Sequence, residues 1–264
     1  MPLKLYDPLI TPEAEIAMSV ETNTRLLNAV TIKHGPIDFL SRFFLEADQY
    51  IRDRGIRLTV SHDFDALARL NERQVAAGTW YPLVRAFDTR FGDIGPDNGY
   101  WIAGIDAHGE IVSSQCGRFY EWHDSCLADH MEQLLFGDRS QGEEVHVTAP
   151  VARIIRGKVL FNGGAWIHPA YRRHGVASIA AKVGRTFGAA NWGCDWIVGT
   201  LQQDKYKLGM HRHYGFSQIS FALHAPGSPW GDEPIGITYQ NPMELLAEAE
   251  LFVKNKASRQ ERAA

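Results

Sequence analysis

The sequence has few cysteines, no long apolar run and only a small excess of negative charge. Its 3 cysteines are widely spaced and form no Cys-x-x-Cys, which favours reduced thiols over a disulfide framework. No apolar stretch approaches the length of a membrane-crossing helix, and residues 1–7 lack the apolar core of a signal peptide. The net charge of −4 gives no argument for nucleic-acid binding. These absences predict a cytoplasmic protein that binds neither a membrane nor nucleic acid.

The composition is that of a folded α/β protein. With 264 residues, 45% of them hydrophobic, the chain is long enough for one large domain or a domain with an extension. Some segments alternate apolar and polar residues, and others repeat apolar residues at helical spacing. Strands are predicted over 56–60, 100–105, 111–122, 158–168, 196–200, 216–222 and 235–239, and helices over 36–51, 63–70, 81–87, 127–136, 176–187, 204–214 and 243–254. This order predicts a mixed α/β sheet covered by helices.

The most informative segment runs from residue 166 to residue 177. A buried strand ends at His168, and a basic glycine turn then opens a helix at Val176. A helix start has four backbone N–H groups without intrahelical partners and a partial positive charge. Arg172 and Arg173 raise the local potential, and Gly175 lets an anion approach the main chain. The segment predicts a phosphate or pyrophosphate site, with an ordinary strand–turn–helix and a solvated basic loop as the alternative.

The turn matches the pattern Arg/Gln-x-x-Gly-x-Gly/Ala at Arg172, Gly175 and Ala177. With the strand and proline before it, the segment resembles the acetyl-CoA-binding motif of the GNAT family of N-acetyltransferases. The resemblance is specific over about 158–220 and extends to 56–122 by the order of elements. It implies a GNAT-like mixed, partly splayed central sheet flanked by helices, formed by residues 56–264. Residues 1–55 would be a mostly helical N-terminal extension.

The same resemblance implies acetyl-CoA, or another acyl-CoA, as the cofactor. The strand backbone would pair with the pantetheine arm where the strands ending at His168 and Thr200 splay, and the turn would bind the pyrophosphate. An amide near Ile167 would polarise the thioester carbonyl. The residues implied in cofactor binding are Trp166, Ile167, His168, Arg172, Arg173, His174, Gly175, Val176, Ala177 and Asp204.

A second family landmark reads Asn-x-x-Ala-x-x-x-Tyr-x-x-x-Gly-Phe, in which the tyrosine protonates the departing thiolate. Alignment on Gly215 places Asp204, Lys207 and His211 in the Asn, Ala and Tyr positions, so the chain departs from the landmark at all three. His211 is the candidate proton donor, and Tyr214 is its rival if the local register differs. The alternative for His211 is a packed or partly exposed helix residue. A metal site at His211 and His213 is disfavoured, because residues two apart point away from each other on a helix.

The general base and the acceptor pocket have weaker candidates. Family members often use a carboxylate on a central strand, which indicates Glu121, with Asp124 behind it; a solvated acid at the end of a strand is the alternative. Trp101, Phe119 and Trp122 are candidates for the wall of an acceptor pocket, although aromatic residues on strands are more often core.

These observations favour an acyl-CoA-dependent N-acyltransferase, which transfers an acetyl group to a primary amine by direct attack in a ternary complex. A non-catalytic acyl-CoA-binding or sensing module on the same fold is the alternative, and a chance match in another phosphate-binding protein is the third reading. A nucleotide hydrolase is disfavoured, because Gly-x-x-x-x-Gly-Lys-Ser/Thr is missing. The acceptor would be a small-molecule or peptide amine. Residues 1–55 would cover the acceptor side or form a homodimer contact, and the residues do not decide between these.

Overall fold

The computed structural model of the chain describes residues 24–136, 145–224 and 234–261, without the side chains of 222 and 257–261. The first 23 residues of the predicted extension lie outside the described residues. Nine strands are described: β1 Thr24–Arg25, β2 Arg57–Ser61, β3 Gly99–Ile105, β4 Ile111–Trp122, β5 His146–Val147, β6 Gly157–Ile167, β7 Trp196–Gln202, β8 Gln218–His224 and β9 Ile235–Gln240.

Nine α-helices are described in the same parts of the chain: α1 Leu26–Ala29, α2 Ile37–Arg52, α3 Phe64–Ala76, α4 Leu127–Phe136, α5 Pro150–Ile154, α6 Val176–Trp192, α7 Gln203–Lys207, α8 Met210–Tyr214 and α9 Pro242–Glu261. Three short 3₁₀ helices cover Arg85–Phe87, Thr89–Phe91 and Pro169–Tyr171. None of the helices within 24–136, 145–224 and 234–261 is both long enough and apolar enough to cross a membrane.

The nine strands form one sheet in the order β1-β2-β3-β4-β6-β7-β9-β8-β5. All neighbouring strands are antiparallel except β6 and β7, which are parallel and are joined through α6. A parallel pair needs such a crossover, because the chain must return to the same end of the sheet. The mixed, partly splayed sheet flanked by helices that the sequence predicts is therefore confirmed.

The sheet carries a hydrophobic core on each face, because successive side chains of a strand point to opposite sides. On β3, Tyr100 and Ile102 face one core, which α2, α6 and α9 cover. Trp101 and Ala103 face the other core, which α3, α4 and α5 cover. The first face carries α6 and therefore the helix start of the predicted phosphate site.

Residues 24–55 pack directly onto the first core. Leu26 of α1 and Phe43 of α2 are fully buried there beside Phe187 of α6. Phe43 and Phe252 of α9 meet edge to face, with ring centroids 6.0 Å apart. The described part of the predicted extension therefore shares a core with the rest of the chain, and a separate boundary at residue 55 stays a prediction.

The helix predicted over 81–87 is wrong. Only the 3₁₀ turn after Val84 is helical there, and the chain before it is extended. A residue that precedes proline disfavours the α conformation, which applies to Tyr81 before Pro82. The Asn71 side chain also donates to Tyr81 O and accepts from the N–H of Leu83, which fastens this segment to α3.

The single helix predicted over 204–214 is also wrong, because it is two short helices. Gly209 separates α7 from α8 with φ of 75°, in the left-handed region that favours glycine. Gly215 ends α8 in the same conformation, as the sequence predicts. The side chains of α8 consequently do not continue the faces of α7.

Candidate active site

The parallel strands β6 and β7 separate after a short paired region. They pair only from Val159 opposite Trp196 to Asn162 opposite Gly199, although β6 continues to Ile167 and β7 continues to Gln202. Beyond that point β6 pairs with β4, and β7 pairs with β9. The open space between residues 163–167 and 200–202 is called the wedge below.

A bulge in β6 begins at the point where the strands separate. The register between β4 and β6 shifts between Ser114 and Cys116, and Gly164 takes φ of 58°. A Cβ on Gly163 would lie 2.6 Å from the Phe87 ring, and a Cβ on Gly164 would overlap the Cys116 thiol. The two glycines therefore form a bulge within a continuous strand, and only glycine fits both positions.

The bulge and the pairing orient the Ile167 peptide toward the wedge. The N–H of His168 donates to Val112 O on β4, 2.8 Å away. Because antiparallel pairing alternates, the N–H and C=O of Ile167 point away from β4. Its C=O accepts from Arg172 Nε at 3.1 Å, which leaves the N–H as the wedge-facing donor.

The wedge leads to the turn that starts α6. Arg173 has φ of 68°, the only positive φ of a non-glycine residue among those described, and Gly175 has φ of 75°. No side chain caps α6 at its start, so its first amides have neither side-chain nor intrahelical partners. The helix dipole adds partial positive charge at the same place. The turn can therefore bind an anion through its main chain.

Two arginines hold this turn in place through hydrogen bonds to backbone carbonyl groups. Arg172 donates from Nη2 to Thr79 O at 3.0 Å, in addition to its bond with Ile167 O. Arg54 of α2 donates from Nε to His174 O at 2.7 Å. Arg172 therefore holds the turn against β6 and the segment after α3, while Arg173 and His174 stay exposed at its surface.

Tyr50 of α2 closes the space beside the helix start. Its ring stacks under the Arg54 guanidinium at 3.4 Å. A Cβ on Gly175 would lie 2.7 Å from Tyr50 Oη, so any side chain there would displace Tyr50 or the turn. Neither Tyr50 nor Arg54 belongs to a motif, and no sequence signal could have linked them to a turn about 120 residues away.

Tyr214 is the last residue of α8. Burial raises the pKa of Tyr214, while the positive charges of Lys205 and Arg172 oppose that rise. The phenol therefore lies within the electrostatic reach of both α7 and the turn, and it is neutral near pH 7. Lys205 bonds Asp204 at 2.9 Å and Tyr81 Oη at 3.3 Å. Asp204 thus occupies the exposed start of α7, held by its neighbour.

His211 has a different environment from Tyr214. Its ring stacks on Tyr206 at 4.3 Å, and Tyr206 meets Phe221 of β8 edge to face at 4.8 Å. His211 Nδ1 is buried without a hydrogen-bond partner. The contacts place His211 in an aromatic cluster with α7 and β8, and they do not bring it to the charges that face Tyr214.

The candidate base Glu121 is not brought to the wedge. It is exposed on β4 opposite Lys158, five residues before Gly163 on β6, a distance of about 16 Å along the strand. Asp124 follows β4 at the same end. The structure therefore separates these carboxylates from the turn and from Tyr214.

The three aromatic residues predicted to line an acceptor pocket do not share one. Trp101 is buried and donates to Asp63 O at 3.0 Å, while Phe119 stacks on Trp192 at the end of α6. Trp122 stacks on His130 of α4 at 4.6 Å. The aromatic side chains beside the wedge are instead Trp166, Trp80 and Tyr81.

Trp166 stacks on Trp80 with ring centroids 5.3 Å apart, and its Nε1 is buried without a partner. The Trp80 ring belongs to the segment that Arg172 holds through Thr79. His168 Nδ1 accepts from Ala170 N at 3.3 Å and starts the 3₁₀ turn after β6. Within the described residues, no group of three or more His, Cys, Asp or Glu side chains is arranged to hold a metal ion.

No protein-family model and no curated protein sequence matches the chain. Solved structures with a similar arrangement include Arabidopsis thaliana NAA60 in complex with acetyl-CoA, at 12% identity and a TM-score of 0.47, covering 71% of this chain and 98% of that chain. FeeM, an N-acyl amino acid synthase from uncultured soil microbes, has 12% identity and a TM-score of 0.42, covering 72% and 93%. A chimera of spermidine N-acetyltransferase SpeG from Vibrio cholerae and hSSAT has 10% identity and a TM-score of 0.42, covering 72% and 98%. Because these scores are low, the fold class rests on the strand order and the wedge.

Proposed function

We propose that the protein is an acyl-CoA-dependent N-acyltransferase, which transfers an acetyl group from acetyl-CoA to a primary amine by direct attack in a ternary complex. One observation carries the proposal: the wedge between β6 and β7 leads to the basic, uncapped start of α6. The wedge suits an extended arm with amide groups, and the start of α6 suits phosphates. Acyl-CoA carries both in one molecule, and it supplies the thioester.

The residues of the wedge fit that ligand. The outward N–H of Ile167 is placed to pair with an amide-bearing arm or to donate to a carbonyl oxygen in the wedge. The main chain of Gly175, Val176 and Ala177 would hold the pyrophosphate, and exposed Arg173 would add charge from the surface. Arg172 contributes mainly by fixing the turn, because both of its bonds are to backbone carbonyls.

We assign the proton donor to Tyr214 in preference to His211. Attack by the amine forms a C–N bond and breaks the C–S bond; the nitrogen gives up one proton to solvent, and the leaving thiolate needs one. Tyr214 is protonated at neutral pH, as an ordinary phenol is, and burial raises its pKa further; Lys205 and Arg172 would stabilise the phenolate that remains. His211 is packed on Tyr206 instead.

The test combines binding with turnover. Acetyl-CoA is titrated by calorimetry, and thiol release is followed with a panel of small amines and peptide N-termini. We expect saturable binding and release with at least one amine. Binding without release across a broad panel would favour the alternative, an acyl-CoA sensor, whereas absence of binding would contradict both readings.

Gly175→Trp tests the pyrophosphate assignment. We expect it to abolish acetyl-CoA binding, because the side chain would enter the space between the turn and Tyr50 Oη. Gly109→Trp is the matched control: Gly109 also has positive φ, 87°, but a Cβ there meets nothing within 4 Å. Equal loss of binding in both variants would indicate general damage, and unchanged affinity in Gly175→Trp would contradict the assignment.

A further inference from the structure

A cavity lies outside the wedge, on the face of the sheet that carries α4. It has a volume of about 200 Å³ and opens between the end of β4, α4 and the segment from 85 to 92. Arg118 in its wall pairs with Phe161, two residues before Gly163, and Tyr120 pairs with Val159, four residues before it, so about 7–13 Å of strand separates them from the wedge. The cavity shares no lining residue with the wedge, the turn or α8.

Arg118 lies in the wall of this cavity as a buried cation. Its side chain is 9% exposed, and its two terminal nitrogens donate to Ala86 O at 2.8 Å and Asp93 O at 2.7 Å. Its Nε is buried and has no partner. Of the residues that line the cavity, none is acidic. A buried guanidinium without a counter-charge is unfavourable, and an anionic group would relieve that cost.

Arg85 adds a second guanidinium at the mouth of the cavity. Its side chain is 38% exposed, 3.3 Å from the Asp88 carboxylate and 4.0 Å from the Phe91 ring centroid. Asp88 is shared with Arg90, whose Nη2 lies 2.8 Å from it. Arg90 also lies 3.6 Å from the Glu72 carboxylate, so it has a second counter-charge outside the cavity, and Arg85 is the exposed guanidinium at the mouth.

The remaining wall is aromatic and flat. Tyr120 and Trp122 stack with centroids 5.1 Å apart, and Trp122 stacks on His130 at 4.6 Å with 12° between the ring planes. His130 Nε2 is 2.7 Å from Ser125 Oγ, which fixes the ring. Burial lowers the pKa of His130, so this ring is predominantly neutral at pH 7 and adds little positive charge. Stacked aromatic walls favour flat ligand rings.

We propose that this cavity binds a small aromatic carboxylate, with the carboxylate at Arg118 and Arg85 and the ring against Tyr120 and Trp122. Sites for drug-sized ligands enclose about 300–1,000 Å³, so this smaller cavity suits a compound with a single ring or a fused pair of rings. The two arginines select the charge, and the aromatic wall selects the flat shape. The site is independent of acyl transfer.

Benzoate is the probe, titrated into the full-length protein and followed by calorimetry and by quenching of tryptophan fluorescence. We expect saturable binding of benzoate and no binding of benzyl alcohol, which has the same ring without the charge. Acetyl-CoA affinity should not change in the presence of benzoate. Absence of saturable benzoate binding up to about 10 mM, or equal binding of the alcohol, would overturn the proposal.

Arg118→Met should weaken benzoate binding at least about tenfold, since a charge-assisted hydrogen bond is lost. Because Arg118 also donates hydrogen bonds to the backbone of Ala86 and Asp93, the substitution can itself unfold the protein. Gln133→Trp avoids that difficulty: Gln133 is exposed at the rim on α4, and the larger ring would fill the mouth. Gln133→Ala is its control and should bind benzoate normally. Unchanged affinity in a folded Gln133→Trp would place benzoate elsewhere and refute the site.

Discussion

Replacing Arg54 with methionine should weaken acetyl-CoA binding from outside the motif. Arg54 Nε bonds His174 O at 2.7 Å, and Arg54 Nη1 bonds Tyr50 O, also at 2.7 Å. The guanidinium also covers the Tyr50 ring at 3.4 Å. Methionine keeps much of the apolar stem but removes both bonds. The turn would then lose its link to α2, and Tyr50 would lose the group that fixes its ring beside Gly175.

The expected magnitude follows from the one bond that joins α2 to the turn. A hydrogen bond from a charged group contributes about 1.5–3 kcal/mol when it is well buried. The contact with His174 O is exposed, so about 1 kcal/mol is the appropriate value. That free energy corresponds to a loss of about fivefold in acetyl-CoA affinity. The rate of thiol release at saturating acetyl-CoA should change little, since Arg54 faces the turn and not Tyr214.

Calorimetric titration of acetyl-CoA measures the effect, and the thermal midpoint of unfolding reports whether the variant is folded. Arg52→Met is the matched control on the same helix, because Arg52 pairs with Asp48 at 3.0 Å and has 52% of its side chain exposed. We expect Arg52→Met to bind acetyl-CoA normally. Equal losses in both variants would mean that α2 acts only through stability. Wild-type affinity in a folded Arg54→Met would refute the idea that α2 positions the turn.

Three further predictions concern catalysis, the bulge and acid stability. Tyr214→Phe should lower turnover about 10²–10⁴-fold and leave acetyl-CoA affinity nearly intact. The wild-type rate should fall as pH rises through the raised pKa of the phenol. An unchanged rate in Tyr214→Phe would exclude this donor. Gly164→Val should lower the free energy of unfolding by at least about 1–3 kcal/mol, measured by denaturant titration. A φ of 58° is strained for valine, and its Cβ would overlap the Cys116 thiol. Wild-type stability would contradict the bulge. Burial alone would raise the pKa of Asp88, but hydrogen bonds and charge from Arg90 bring it below its usual value. Its stabilisation is therefore present above the unfolded pKa of about 3.9 and is lost as pH falls through the lower folded pKa, so Asp88→Asn should flatten the acid limb of a stability–pH curve.

Local patterns in the sequence are sufficient to predict the elements around the turn. The strand before His168, the glycine turn and the helix from Val176 are all confirmed, because each depends on neighbours within a few residues. The bulge at Gly163 and Gly164 is also indicated locally, since adjacent glycines in a strand mark a close approach. The side chains that leave no room for a Cβ at these glycines, such as Phe87, come from distant parts of the chain.

The parts of the site that escape prediction depend on tertiary contacts. Arg54 meets His174, and Lys205 meets Tyr81, across more than 100 residues of sequence in each case. Neither pair belongs to a sequence motif or a periodic pattern that would indicate the contact. Glu121 shows the same limit: it lies on a central strand, where a candidate base is expected, but the antiparallel register places it at the end of β4 that is far from the bulge.

The choice between His211 and Tyr214 depends on what each side chain faces, because both belong to α8. Counting back four residues from Gly215 places His211 in the tyrosine position of the landmark, and this count stays within α8. Gly209, with φ of 75°, separates α8 from α7, so His211 and Tyr214 both belong to α8 and lie three residues apart on it. Tyr214 is the side chain that meets the charges of Lys205 and Arg172, while His211 turns onto Tyr206. These surroundings are why Tyr214, three residues after the position that the spacing indicates, is the donor that we propose.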